Sequence, residues 1–341
     1  MAPGDKALRE GVCQNLAGWI EKLECGGDIE KQNFFKKRFL KRLHSSPVAT
    51  DTDTANEQHY EVPTDFFTTV LGSRLKYSGC VWPDGVQTLD EAEDVSLDLY
   101  CERAQVKDGH AILDLGCGWG SFGLYVAEKY PKCRVTCVSN SNTQRAFIQQ
   151  QALDKGLSSR LNVITADANV FSTGDRFDRI VSIEMFEHMK NYDTLFQRVS
   201  SWLKPSGLLF LQVFCHRSHP YAFDVKPGSD TEWMAKNFFT GGTMPSSDLF
   251  LFFQNDVKLV DFWSVSGTHY SKTLEAWLTK MDTNMGKVKE IFDQAYGKDS
   301  EQQIFNWRLF FMFCSEVFGY NNGNEWHLLH QLFRKKVVSA L

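Results

Sequence analysis

The chain runs to 341 residues, with 37 Lys+Arg against 42 Asp+Glu and a net charge of −5 with histidines neutral. That balance excludes a strongly basic chain built to coat nucleic acid. An apolar content of 43%, including 27 Phe, 10 Tyr and 9 Trp, excludes a largely disordered one. The length suits one large or two intermeshed domains. The longest apolar runs, such as Leu208-Leu209-Phe210-Leu211, fall far short of the ~20 residues that span a bilayer, so no integral membrane segment is expected. Nine scattered cysteines contain no Cys-x-x-Cys pair, and no His/Cys pair has ligand spacing, so the metal expectation is none. Reduced thiols fit a cytoplasmic protein. The first thirty residues hold Asp5, Glu10, Glu21 and Glu24 without an apolar h-region, which argues against a secretory or transit segment. The terminal Ser339-Ala340-Leu341 lacks the basic middle residue of a peroxisomal address.

Residues 1 to about 50 read as helices. Leu16, Trp19, Ile20 and Leu23 form one stripe, and Phe34, Phe35, Leu40 and Leu43 repeat the pattern, so this segment either caps a pocket or packs on a core. The basic run Lys36-Lys37-Arg38 with Lys41 and Arg42 reads as a solvated helix face. Ser45 to Glu57 reads as a loop. From about residue 90, helices alternate with short apolar strands: helix 91–104, strand 111–115, helix 122–130, strand 134–138, helix 142–155, strands 161–165 and 177–183, helix 190–203 and strand 207–214. This is the pattern of a doubly wound, mainly parallel α/β sheet, whose ligands bind beyond the carboxyl ends of its strands. Residues 215–250 then form an aromatic-rich insertion, followed by a strand near 256–265, helical stretches at about 271–295 and 299–318, and an apolar segment from Trp326 to Phe333. The expected division is a helical cap over 1–90, a nucleotide-type core over 91–265, and a second helical cap with the last strand over 266–341.

Asp114-Leu115-Gly116-Cys117-Gly118-Trp119-Gly120 lies at the turn from the first core strand into a helix, where glycines let backbone bend sharply and approach a ligand. A dinucleotide site needs Gly-x-Gly-x-x-Gly and an acid about 20 residues on. Here the third glycine comes one residue early and Thr136 to Ser141 holds no acid. The turn resembles motif I of class I S-adenosylmethionine (SAM)-dependent methyltransferases, with a Rossmann-like, seven-stranded sheet. The resemblance implies SAM as cofactor, with Asp114, Gly116, Gly118 and Gly120 at its methionyl part, Asn140 with Gln144 at the ribose, and Asp167 with Ala168 at the adenine.

The fourth strand runs into Glu184-Met185-Phe186-Glu187-His188-Met189, two carboxylates and an imidazole where a transferred methyl lies, a set hard to explain as packing. Together with Phe66-Phe67, Tyr77-Ser78, Leu97 to Gln105, Phe186 to Tyr192, Ser266 to Ser271, Phe318-Gly319-Tyr320, Glu325-Trp326 and His59 to Pro63, it resembles coclaurine N-methyltransferase and related amine N-methyltransferases, a branch of the cyclopropane fatty acid synthase superfamily. These motifs extend from about residue 55 to the C-terminus. Lipid-cyclopropanating members resemble Gly-Met-Phe-Glu-His where this chain has Glu184; they carry a cysteine where it has Gly79, as the coclaurine branch often does too, so Gly79 weakens the lipid reading without proving the amine one. The resemblance assigns Glu184, Glu187 and His188 to binding and activating a small amine, adds Tyr77 and Ser78 to the cofactor set, and makes Tyr60, Phe238, Phe311, Phe318 and Trp326 candidates for an aromatic pocket, with Phe239 and Phe310 beside them.

Chemistry agrees with an amine. An aliphatic ammonium of pKa about 10.4 has no lone pair at pH 7, so a proton must leave. His188 is the better base, and the carboxylates attract the cation. A lipid acceptor, methyl or methylene transfer to an unsaturated acyl chain, is the alternative; it predicts a basic surface, which −5 does not favour. A nucleic-acid amino-methyltransferase would show Asn/Asp-Pro-Pro-aromatic after the fourth strand, which Ile183 to Phe186 is not. A silent cofactor-binding module should have lost the acidic cluster. The partner expectation is a small-molecule amine and no nucleic acid, with a homodimer left open.

Overall fold

The computed structural model describes residues 3–50, 62–229 and 231–336. Tyr60 and Ser339-Ala340-Leu341 lie outside the described residues. Two N-terminal helices, α1 (Pro3–Leu23) and α2 (Ile29–Ser45), precede a short α3 (Thr64–Val70) and α4 (Leu89–Arg103). Asp28 caps α2 by accepting the Lys31 N–H, and Thr88 with Glu91 forms a reciprocal capping box on α4.

The alternating section then delivers β1 (Ala111–Leu115), α5 (Ser121–Lys129), β2 (Arg134–Ser139), α6 (Asn142–Asp154), β3 (Leu161–Thr165), β4 (Phe177–Ile183), α7 (Tyr192–Trp202) and β5 (Leu203–His216). The insertion forms a two-stranded ribbon, β6 (Tyr221–Ala222) with β7 (Thr243–Met244), around α8 (Glu232–Asn237). The chain closes with β8 (Val257–Val265), α9 (Gly267–Thr283), α10 (Met285–Tyr296), α11 (Ser300–Gly323) and β9 (Trp326–Lys335).

Seven strands share one sheet in the order β3-β2-β1-β4-β5-β9-β8. The first five are parallel, while β9 inserts antiparallel between β5 and β8. This is the SAM-methyltransferase fold expected from the sequence. Its strand order reverses between β1 and β4, so their carboxyl ends open the crevice in which such sheets bind ligands. The 271–295 stretch is broken at Asn284, whose non-helical φ/ψ separates α9 from α10. The last apolar segment becomes β9, buried from Trp326 to Phe333 because it is central in the sheet and covered on both faces.

Apolar side chains cover the two sheet faces, and a third cluster joins the cap helices to the insertion. The basic residues of α2 are more engaged than a solvated face: Lys36 pairs with Asp248 at 2.6 Å and Arg42 with Asp224 at 2.8 Å, pinning α2 to the insertion. Among the described residues no helix is long and apolar enough to cross a membrane.

Candidate active site

The glycine turn at the end of β1 places Gly116, Gly118 and Gly120 at φ +82°, +52° and +80°, a region that side-chain-bearing residues rarely adopt. A Cβ on Gly116 would meet the Met185 side chain at 2.5 Å, and one on Gly120 would meet Ile148 at 2.7 Å, whereas Gly118 faces open space. Gly116 and Gly118 therefore expose backbone to the crevice. Gly120 opens α5 against Ile148 and forms no part of the cavity wall, so its contribution is to the turn. Asp114 is buried at 2% exposure and accepts the Gly123 N–H at 3.1 Å; burial pushes its carboxyl up to about 7.

Two adjoining cavities of about 390 and 100 Å³ lie over this turn and share Gly116, Gly118, Gln144, Glu184 and His188. The smaller is bounded by Asn140 after β2 and by Asp167 and Ala168 after β3. The larger takes in Tyr77, Ser78, Asp114 and Ser121. Its wall includes three buried polar atoms with no hydrogen-bond partner among the described residues, Ser121 Oγ, Trp119 Nε1 and Trp277 Nε1. Buried polar atoms are ordinarily paired, so Ser121 and Trp119, beside the glycine turn, mark where a polar ligand completes the wall. An acid and an amide at the small cavity, open glycine backbone in the middle and orphaned donors beyond it fit the adenosine and amino-acid ends of SAM.

Glu184 stands at the junction of the cavities, at the tip of β4, in left-handed backbone with φ +50°. For a non-glycine residue this costs roughly 1–2 kcal/mol, and the surroundings enforce it. Oε1 accepts the Gly79 N–H at 2.9 Å and the Gln212 Nε2–H at 2.8 Å, and Oε2 accepts the Tyr270 hydroxyl at 2.8 Å. Burial lifts the carboxyl above its ordinary range; Lys76 and these hydrogen bonds pull the other way. Lys76 is itself buried, its Nζ donating to Ser78 Oγ at 2.9 Å and to the Gly79 carbonyl at 2.6 Å. The ammonium thus ties down the loop that delivers Tyr77, Ser78 and the Gly79 N–H.

His188 borders both cavities, with the Phe239 ring edge-on at 4.6 Å. Glu187 does not join it there. It is fully buried behind the wall, its Oε1 accepting the Phe214 N–H at 2.8 Å while Oε2 has no partner among the described residues. Burial, reinforced by the Glu184 charge, holds its carboxyl well above the usual range.

The chain matches the family model "Mycolic acid cyclopropane synthetase" over residues 49–328. It is 42% identical to (S)-coclaurine N-methyltransferase of Thalictrum flavum subsp. glaucum over 92% of this chain and 87% of that one. It is 39% identical to (S)-tetrahydroprotoberberine N-methyltransferase of Eschscholzia californica over 93% and 92%. The chain belongs to the mycolic acid cyclopropane synthetase family. Within it the protein is a SAM-dependent amine N-methyltransferase. A crystal structure of coclaurine N-methyltransferase bound to N-methylheliamine and S-adenosylhomocysteine superposes with a TM-score of 0.91, at 39% identity, over 97% of this chain and 95% of that one. That coverage takes in N-terminal helices for which no family motif was legible.

In this N-methyltransferase the helix α1 is a lid: Asn15, Leu16 and Trp19 close the larger cavity, and Arg9 fastens the helix to Glu275 and Glu316 at 2.7 Å each. Of the aromatic candidates, Phe238, Phe239, Phe310 and Phe318 line the cavity. Phe311 and Trp326 do not; both are fully buried in the cap cluster. Phe311 turns inward because consecutive residues on a helix point about 100° apart, so Phe310 and Phe311 cannot share a face. Trp326 begins the central strand β9 and packs beneath the wall, donating its N–H to Tyr221 at 3.0 Å. Tyr270, Lys76 and Gln212 escaped sequence reasoning. Only Tyr270 had a signal, as part of the Ser266 to Ser271 motif.

Position 79 has no room for a side chain: a Cβ there would lie 2.8 Å from both Tyr270 Cγ and Leu328 Cδ1. Gly79→Ala is expected to destabilise the N-methyltransferase by about 1–3 kcal/mol through overpacking. By displacing the Tyr270 ring from Glu184 it should also lower kcat/KM at least tenfold. Thermal melts with steady-state kinetics check both; a variant that melts and turns over like the wild type overturns the packing argument.

Proposed function

We propose that the protein methylates the nitrogen of a small arylalkyl or alkaloid-like amine held in the larger cavity. The observation carrying this reading is Glu184, a heavily hydrogen-bonded carboxylate beside an imidazole at the junction of the cavities, facing the aromatic rings of the larger one. A cation finds one opposite charge there and ring faces around it. SAM, when bound, supplies an electrophilic methyl group on a sulfonium. The chain's own residues bind and orient the amine, exclude water and remove a proton. Glu184 draws in the ammonium, and the nearby buried Lys76 pulls the Glu184 carboxyl back toward its charged form. His188 takes the proton, since imidazole is the side chain suited to accept one near neutrality. Glu187, buried behind the wall with its carboxyl pushed upward, does not present a second carboxylate to the chamber; two ionised carboxylates there would hold the ammonium so firmly that deprotonation suffered.

The lipid reading loses ground at position 79, where Tyr270 and Leu328 leave no room for a cysteine side chain. A cytoplasmic site of action is part of this proposal, supported by nine unpaired cysteines.

The test is transfer of labelled methyl from SAM to arylalkyl amines, short aliphatic amines and phospholipid vesicles, across pH. Transfer to arylalkyl amines is expected, with kcat/KM rising with pH. Glu184, whose pKa is raised, loses its charge as pH falls through its titration, and the amine gains its proton; both disfavour turnover at low pH. Transfer to vesicles alone, or a pH-independent rate, overturns the reading.

A further inference from the structure

Tyr221 carries a hydroxyl whose hydrogen bonding is incomplete. Its side chain forms part of the larger cavity wall, on the ribbon strand β6 where Tyr221 pairs with Met244. The phenolic oxygen accepts the Trp326 indole N–H at 3.0 Å. The Trp19 ring of the lid stands edge-on against Tyr221, centroids 5.3 Å apart and planes at 88°. An indole N–H only donates, so neither tryptophan can take the tyrosine's proton. Among the described residues Tyr221 is an acceptor only. Burial holds the phenol above its ordinary pKa, so the proton stays on.

The side of the hydroxyl that receives the Trp326 N–H is firmly packed. Trp326 is fixed in β9 with His216 and Tyr320 packed edge-on against it, at 5.3 and 5.9 Å between centroids. The neighbouring wall residues Phe223, Phe239 and Met244 are apolar. Tyr221 is half-buried on the wall of the larger cavity, so its O–H is left to donate to whatever fills that cavity.

We infer that Tyr221 is the donor of a substrate subsite for an acceptor oxygen, a hydroxyl or ether carried on the amine's apolar skeleton away from its nitrogen. The inference rests on the amine N-methyltransferase reading and narrows its substrate class to oxygenated arylalkyl amines. The amine's two polar ends are then recognised from opposite parts of the fold: the nitrogen by Glu184 at the sheet, the oxygen by the insertion.

Three probes separate the possibilities: phenethylamine, tyramine and the O-methyl ether of tyramine, each assayed with the full chain and labelled SAM. An ether oxygen accepts but cannot donate. The wild-type protein is expected to show KM about tenfold lower for both oxygenated amines than for phenethylamine, the size of one good hydrogen bond. Tyr221→Phe is expected to bring the three KM values within about twofold, with kcat moving less than KM. A wild-type preference for tyramine but not for its ether would mean that the protein accepts rather than donates, and overturns the inference. So does a preference that survives in Tyr221→Phe. Turnover of all three amines without preference removes the inference and leaves the amine reading standing; turnover of none removes both. The wild-type ordering keeps the test decisive should the variant, which strands the Trp326 N–H, fold poorly.

Discussion

Glu184→Gln is expected to lower kcat/KM for an amine by about 10²–10⁴, the range associated with a positioned catalytic group, while affinity for S-adenosylhomocysteine stays within about threefold. Glutamine is nearly isosteric and keeps one oxygen for the Gly79 and Gln212 donors, and the Tyr270 hydroxyl can rotate to accept from its amide. What disappears is the charge. The loss should appear in KM, because the ammonium is no longer attracted, and in kcat, because the positive charge on the product nitrogen is no longer met. Stability should change little, since the variant retains the strained backbone and most of its hydrogen bonds. Steady-state kinetics and calorimetry, run on the same preparation, separate these effects. Equal losses of turnover and cofactor affinity would show that Glu184 serves the cofactor and not the amine.

The strain at Glu184 sharpens this expectation. A left-handed glutamate at a strand tip is not what a sequence chooses for stability, and asparagine or glycine would sit there more easily. The chain keeps a residue whose side chain collects three donors from three separate segments, around Gly79, Gln212 and Tyr270.

Such convergence also explains what the sequence made legible. The glycine turn was readable because its function and its local backbone are the same thing: Gly116 and Gly118 need positive φ and open backbone within a few residues of β1. The acidic cluster was readable as a set at one strand end. Its internal division was not, because the backbone after Glu184 decides that His188 faces the cavities while Glu187 turns into the interior. Tyr270 lies 86 residues from Glu184 and Gln212 lies 28 away, so periodicity cannot pair them. Phe310 and Phe311 are indistinguishable in composition, and only the rotation of α11 puts one in the cavity and the other in the core. The N-terminal stripe of Leu16 and Trp19 predicted a buried face, and the structure adds that part of what it covers is the cavity itself.

His188→Ala is the complementary experiment, with a different signature. Its loss should fall on kcat, by about 10²–10³, with KM changed far less, because Glu184 still holds the ammonium. The pH profile should change shape. With the imidazole present, proton removal does not wait on solvent. Without it, solvent must take the proton, and the rate should go on climbing tenfold per unit towards the amine's own pKa near 10. The cavity left beside Phe239, which packs edge-on against the imidazole at 4.6 Å, invites rescue by added imidazole. Recovery of kcat with added imidazole, at constant cofactor affinity, would identify proton removal as the lost function. A variant that lost KM and kept kcat would reassign His188 to substrate binding and pass the proton to the solvent that enters with the amine.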